Sequence, residues 1–118
     1  MAKVLVVDDS ASMRAILVAL LEPDHEVIVG EDGIDAVWQY KRSQPDAVLM
    51  DLNMPVMNGM EALRRIKEID PAARIAILTG ERDQNTVISA LSAGAIDYVG
   101  KPCTSKRISS AVKALLRD

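Results

Sequence analysis

The chain has 118 residues, 49% of them hydrophobic and 26% charged, a size and balance that give one self-folding soluble domain and exclude a disordered chain or a disulfide-stapled miniprotein. Fourteen basic against seventeen acidic residues leave a net charge of −3 with no basic stripe, so direct nucleic-acid binding is not expected. No apolar run approaches the roughly 20 residues of a membrane span, no signal-peptide core follows Met1, and the single Cys103 can close neither an internal disulfide nor a zinc site, so a cytoplasmic protein without membrane insertion is expected.

Short β-type runs alternate five times with helix-period segments. Lys3 to Val7 (K-V-L-V-V) reads as a strand buried on both faces. Met13, Ile16, Leu17, Leu20 and Leu21 then recur at helical spacing and form one apolar face, ended by Pro23-Asp24. His25 to Val29 reads as the second strand and Gly30 to Gly33 as a turn. Ile34, Val37, Trp38 and Lys41 mark the second helix, which closes before Pro45. Ala47 to Met50 is the third strand, running into Asp51 and a loop, L-N-M-P-V-M-N-G. Met60, Leu63, Ile66 and Ile69 space the third helix up to Asp70-Pro71. Ile75 to Leu78 is the fourth strand, ending at Thr79-Gly80. Val87, Ile88 and Leu91 carry the fourth helix, with Gly94 as its left-handed C-terminal residue. Ile96 to Val99 is the fifth strand, followed by Lys101-Pro102. Ser105 is placed to cap the last helix, whose apolar positions are Ile108, Ala111, Val112, Leu115 and Leu116.

Strict β-α alternation implies parallel strands joined by right-handed crossovers, hence an α/β sheet with helices on both faces. The strands of such a sheet all end on one edge, and ligands bind outside those ends. Asp8 and Asp9 follow the first strand, Asp51 the third, Thr79 the fourth and Lys101 the fifth. Three carboxylates brought together need either partial protonation or a cation, and a hard divalent ion such as Mg²⁺ suits oxygen donors while leaving coordination open for a phosphate. The first loop, V-D-D-S-A-S-M-R, contains neither G-x-G-x-x-G nor G-x-x-x-x-G-K-[ST], which removes the dinucleotide and nucleoside triphosphate cradles. An acidic metal pocket with one Lys and one Thr remains, suited to a single phosphoryl group on or passing through a carboxylate.

Four segments, V-V-D-D-S (Val6 to Ser10), M-D-L-N-M-P-V-M-N-G (Met50 to Gly59), L-T-G (Leu78 to Gly80) and Y-V-G-K-P (Tyr98 to Pro102), resemble the receiver domain of two-component response regulators. The resemblance runs over the whole chain, residues 1–118, and is nearest to the stand-alone chemotaxis-type members. It implies a flavodoxin-like five-stranded sheet of order 2-1-3-4-5 with five helices. It implies that Asp51 accepts a phosphoryl group from a sensor histidine kinase, and that Mg²⁺ is held by Asp9, by Asp8 through water, by Asp51 and by the backbone carbonyl of Asn53. Lys101 is then expected to pair with the phosphoryl oxygens, Thr79 to donate its hydroxyl to one of them, and Tyr98 to act as a switch aromatic. The Lys101-Pro102 bond is expected to be cis, turning Lys101 toward Asp51. The resemblance also implies that Asn53 and Glu81 flank the path of an attacking water and so tune dephosphorylation. The expected output is protein binding through the fourth helix, fifth strand and fifth helix, with only self-phosphorylation and self-dephosphorylation as catalysis. Alternatives are a receiver cut from a longer regulator with DNA-binding or enzymatic output, a small-molecule phosphatase or phosphotransferase using the same chemistry, and a flavin or corrinoid binder. Steady-state phosphate-ester turnover and colour separate the last two.

Other residues carry plainer expectations. His25 reads as a solvated or capping histidine, Cys103 as inert, and Met54, Met57 and Met60 as gap-filling core. Arg64-Arg65 and Lys106-Arg107 read as solvated basic pairs.

Overall fold

In the computed structural model, which describes residues 2–80 and 84–117, the alternation resolves into ten elements. They are β1 (Lys3–Val7), α1 (Ala11–Leu21), β2 (Glu26–Gly30), α2 (Gly33–Ser43), β3 (Ala47–Asp51), α3 (Gly59–Ile69), β4 (Ile75–Thr79), α4 (Gln84–Ser92), β5 (Asp97–Gly100) and α5 (Ser105–Leu116). The strands form one parallel sheet in the order β2-β1-β3-β4-β5, as the resemblance implies.

Side-chain alternation along the strands divides the interior in two. Val4, Val6, Ala47, Leu49, Ala76, Leu78 and Val99 face α1 and α5, meeting Leu17, Leu21, Ile108, Ala111, Val112 and Leu115. Leu5, Val7, Val48, Met50, Ile75 and Ile77 face α2, α3 and α4, meeting Ala36, Tyr40, Ala62, Leu63, Ile66 and Ala90. β3 and β4 are buried throughout, while the edge strand β2 is largely open to solvent, which explains why the continuous apolar runs lie in the centre of the sheet.

Several boundaries and faces differ from the sequence reading. β2 and β5 each begin and end one residue later than expected. The cap of α5 is Thr104, whose Oγ1 accepts the Arg107 N–H at 3.0 Å; Ser105 is already helical. Ile16 and Leu20 of α1 are exposed, leaving Leu17 and Leu21 as its core residues. α2 turns Ile34 and Trp38 outward and packs through Ala36 and Tyr40, so of its expected stripe Val37 alone lies against the core. Ile69, Ile88 and Leu91 are likewise exposed. Gly94 does take a positive φ, 111°, and the turn closes with Ala95 N–H donating to the Ala90 carbonyl at 3.0 Å. No helix among the described residues is long and apolar enough to cross a membrane.

Candidate functional site

The strands of a parallel sheet all end on the same edge, and here polar residues stand at those ends: Asp51 and Thr79 close β3 and β4, and Asp8 and Lys101 immediately follow β1 and β5. Asp8 and Asp51 are buried, Asp9 is exposed, and their carboxylate oxygens lie within 4.8 Å of one another. Thr79 is fully buried at the end of β4, and its carbonyl accepts the backbone N–H of Lys101 at 2.8 Å. The Lys101-Pro102 peptide is cis.

Lys101 supplies the counter-charge. Its Nζ donates to Asp8 Oδ2 at 2.8 Å and lies 3.6 Å from Asp51 Oδ1. The ammonium is therefore held more closely by Asp8 than by Asp51, toward which the resemblance directs it. Asp8 is held from the other side as well, because its Oδ1 accepts the Ser10 N–H at 2.9 Å. Burial pushes the Asp51 carboxyl above the usual carboxylate range; Lys101 opposes this, Asp8 and Asp9 add to it, and the Asn53 backbone N–H hydrogen bond counters them. Burial alone would lower the pKa of Lys101, but the hydrogen bond to Asp8 and the charges of Asp51 and Asp8 carry it above the ordinary lysine value. Among the described residues the site is thus short of positive charge: one ammonium, paired with Asp8 and Asp51, stands in a cluster of three carboxylates.

The loop after β3 is shaped by two close approaches. A Cβ on Gly59 would fall 2.1 Å from the Asp51 carbonyl oxygen, so only glycine lets α3 start directly above Asp51. The Gly59 N–H donates to the Leu52 carbonyl at 2.9 Å, and Asn58 caps the helix by accepting the Glu61 N–H at 3.0 Å. Gly33 at the start of α2 meets the Met57 carbonyl, to which its N–H donates at 2.9 Å; a Cβ there would lie 2.2 Å from that oxygen.

Two contributors escape the sequence reading. Arg14, on the first turn of α1, donates Nη1 to the Asp8 carbonyl at 2.6 Å and lies 3.9 Å from Glu31. Ser10 both caps α1, accepting the Met13 N–H at 3.2 Å, and donates its own N–H to Asp8. A helix beginning immediately after Asp8-Asp9 necessarily brings its cap and first-turn cation beside those carboxylates, and that is the signal that could have found them. Arg107 is also not merely solvated, since its Nη2 donates to Asp97 Oδ1 at 2.9 Å and to the Tyr98 carbonyl at 3.3 Å, tying α5 to β5. Tyr98 is half-buried against the α2–α3–α4 side of the sheet. Asn53 is exposed beside Asp51, and Glu81 lies outside the described residues. His25 accepts the Ala2 N–H at 3.4 Å, away from the acidic edge, and Cys103 packs against the α1–α5 core. Met54, Met57 and Met60 pack against the other core.

The donor set suits a hard divalent cation: three clustered carboxylates, two of them buried, with Lys101 ion-paired to Asp8 and Asp51.

Comparison with known proteins yields a consistent set of relatives. The sequence model of the response regulator receiver domain matches residues 4–113. The chain is 40% identical over 116 residues to the chemotaxis protein CheY of Bacillus subtilis, covering 97% of each. It is 41% identical over 118 residues to protein CcdB of the same organism, covering 98% of each. Among solved structures, the CheX–CheY–BeF3–Mg²⁺ complex from Borrelia burgdorferi matches with a TM-score of 0.95 at 28% identity, over 99% of this chain and 90% of that one.

Proposed function

The chain belongs to the response regulator receiver domain family, of the CheY type, and from that premise we propose that Asp51 is its phosphoacceptor and Mg²⁺ its cofactor. Receiver domains of this type are modules of phosphorylation-dependent two-component and chemotaxis signalling rather than enzymes in the ordinary sense. The observation that carries the specific reading is the convergence of the Asp8, Asp9 and Asp51 carboxylates within 4.8 Å of one another, with the Lys101 ammonium on Asp8 and Asp51.

In this reading residues 1–118 act as one unit. A carboxylate oxygen of Asp51 attacks the phosphorus of a sensor kinase's phosphohistidine; the new O–P bond forms as the P–N bond breaks, and the electron pair leaves on the imidazole. The attack needs Asp51 ionised. Burial works against that, and Lys101, 3.6 Å away, favours it. Asp8, Asp9 and Asp51, with the Asn53 carbonyl, would hold Mg²⁺, which when bound offsets the negative charge of the carboxylates and of the incoming phosphoryl group. Thr79, fixed at the end of β4, donates its hydroxyl to a phosphoryl oxygen, and Tyr98 responds to that displacement. Asn53 and Glu81 position the water that later hydrolyses the acyl phosphate.

The output surface in this reading is α4, β5 and α5. Ile88, Leu91 and Ile96 expose apolar area there, and Arg107 holds the β5 backbone at the Tyr98 carbonyl. A downstream protein target is therefore proposed. The Borrelia relative, whose CheY is captured with CheX, BeF3 and Mg²⁺, supports both the metal and the protein partner.

The test is phosphorylation by acetyl phosphate. With Mg²⁺ the intact mass should rise by one phosphoryl group, EDTA should prevent the rise, and Asp51→Asn should abolish it. Undiminished labelling of that variant would assign the acceptor elsewhere.

A further inference from the structure

A second surface, sharing no residue with the acidic edge or with α4, β5 and α5, lies between α2 and α3. Ile34, Val37, Trp38 and Lys41 of α2, Met57 of the β3–α3 loop and Arg65 of α3 line a groove of about 420 Å³. Its composition is unusual for a surface. Trp38, the sole tryptophan of the chain, is 68% exposed, and Ile34 is exposed beside it. Neither adds to the core, which α2 serves through Ala36 and Tyr40. Exposed tryptophan next to arginine is the combination that anchors protein interfaces.

The charges at the groove are positive in a chain of net charge −3. Lys41 has no ion-pair partner among the described residues, and Arg65 has only Glu61 at 3.2 Å, a pair exposed on both sides and therefore weak. A second copy of this chain is a poor occupant, because a two-fold contact through the groove would set Lys41 and Arg65 against their own images. Along α2 the residues run Ile34, Val37, Trp38, Lys41, a strip of i, i+3, i+4 and i+7 positions that is about 10 Å long. Such a strip is matched by two turns of a partner helix carrying apolar anchors at the same spacing.

We propose that the α2–α3 groove is a docking site for an amphipathic helix of a partner protein, with apolar anchors seated on Trp38 and acidic flanks meeting Lys41 and Arg65. The site requires no phosphorylation, so its test is separable from that of Asp51.

Trp38 reports occupancy directly. Three Trp-free helical peptides of about fourteen residues serve as probes: one with leucine at i, i+3, i+4 and i+7 flanked by glutamate, the same peptide with lysine for glutamate, and the glutamate peptide with serine for leucine. The first should shift Trp38 emission saturably to shorter wavelength, and the other two should not. The double variant Lys41→Glu, Arg65→Glu should bind the acidic peptide about tenfold more weakly and prefer the lysine one. Both substitutions lie on exposed helix faces, and circular dichroism checks the fold. The proposal is overturned if acidic and basic peptides bind equally, if the serine peptide matches the leucine one, or if no peptide moves the emission. It is also overturned if concentrating the protein alone produces the shift, which would make a second copy the occupant.

Discussion

Lys101 sits closer to a carboxylate that is not the proposed acceptor than to the one that is, 2.8 Å from Asp8 against 3.6 Å from Asp51. Its removal strands Asp8, which is fully buried, so Lys101→Ala should cost about 1–3 kcal/mol in metal-free buffer. Mg²⁺ should return more stability to that variant than to the wild type, because the ammonium no longer competes for the same oxygens. Denaturant titrations with and without Mg²⁺ check this, and equal Mg²⁺ effects would contradict it. A second pair, far from the site, gives a cleaner pH dependence. Tyr40 Oη donates to Asp70 Oδ2 at 2.6 Å; this hydrogen bond lowers the Asp70 pKa, while burial foremost raises that of the Tyr40 phenol. A carboxylate depressed in the folded state contributes stability above its ordinary value of 3.8 and loses it as pH falls through the folded value. Tyr40→Phe should therefore lower the unfolding midpoint at neutral pH, with the gap to wild type closing in acid; a gap independent of pH would deny the charge a role. At this scale Asp8, Asp9, Asp51, Thr79 and Lys101 were legible, because parallel strands all end on one edge and these residues close or follow them. Arg14 and the unequal sharing of Lys101 were not, because both depend on side-chain reach, which spacing does not encode.

Among the elements, the helices show why an apolar stripe is an incomplete guide. Helical periodicity says which residues share a face but not how much of that face the sheet covers. Leu17 and Leu21 reach the core while Ile16 and Leu20, one residue earlier in each case, stay in solvent. In α2 the small Ala36 is buried and the large Trp38 is left out, the reverse of what size suggests, because the helix lies close to β2 at Ala36, whose backbone nitrogen would be 3.5 Å from a Cβ on Gly30. The strands were read to within one residue because continuous apolar runs have no second face to confuse. The β3–α3 loop holds the least expected backbone feature: Val56, 77% exposed, has φ at 71°. A β-branched residue in the left-handed region is disfavoured by about 1–2 kcal/mol. Val56→Gly should thus raise stability by about 1 kcal/mol, read as a higher denaturant midpoint with an unchanged slope. A lower midpoint would show that the valine methyls make contacts that outweigh the strain.

Across the whole molecule the sheet acts as a partition between two cores, one under α1 and α5 and one under α2, α3 and α4. Leu17 and Leu63 are fully buried on opposite sides. Each Leu→Ala change should cost about 2–5 kcal/mol, and the double variant should equal the sum to within about 0.5 kcal/mol. An excess above that would mean that packing changes cross the sheet, which would bear on how a phosphoryl group at one edge is felt by both layers. The β-α alternation made the parallel sheet legible, and the strand-end motifs the resemblance to the family. The division of labour between the two cores was less so, since it depends on the side of the sheet each crossover takes. The interior place of β1, between β2 and β3, matters in another setting, the ribosome. Synthesis delivers Val4 to Val7 early, yet β1 pairs on one edge with β2 and on the other with β3. β2 arrives about twenty residues later and β3 about forty, so at about 5–20 residues per second the growing chain carries the apolar run Val4 to Val7 with an open edge for several seconds. In that interval, before Ala47 to Asp51 emerges to close the second edge, the nascent chain is exposed to edge-to-edge aggregation that a chaperone would prevent.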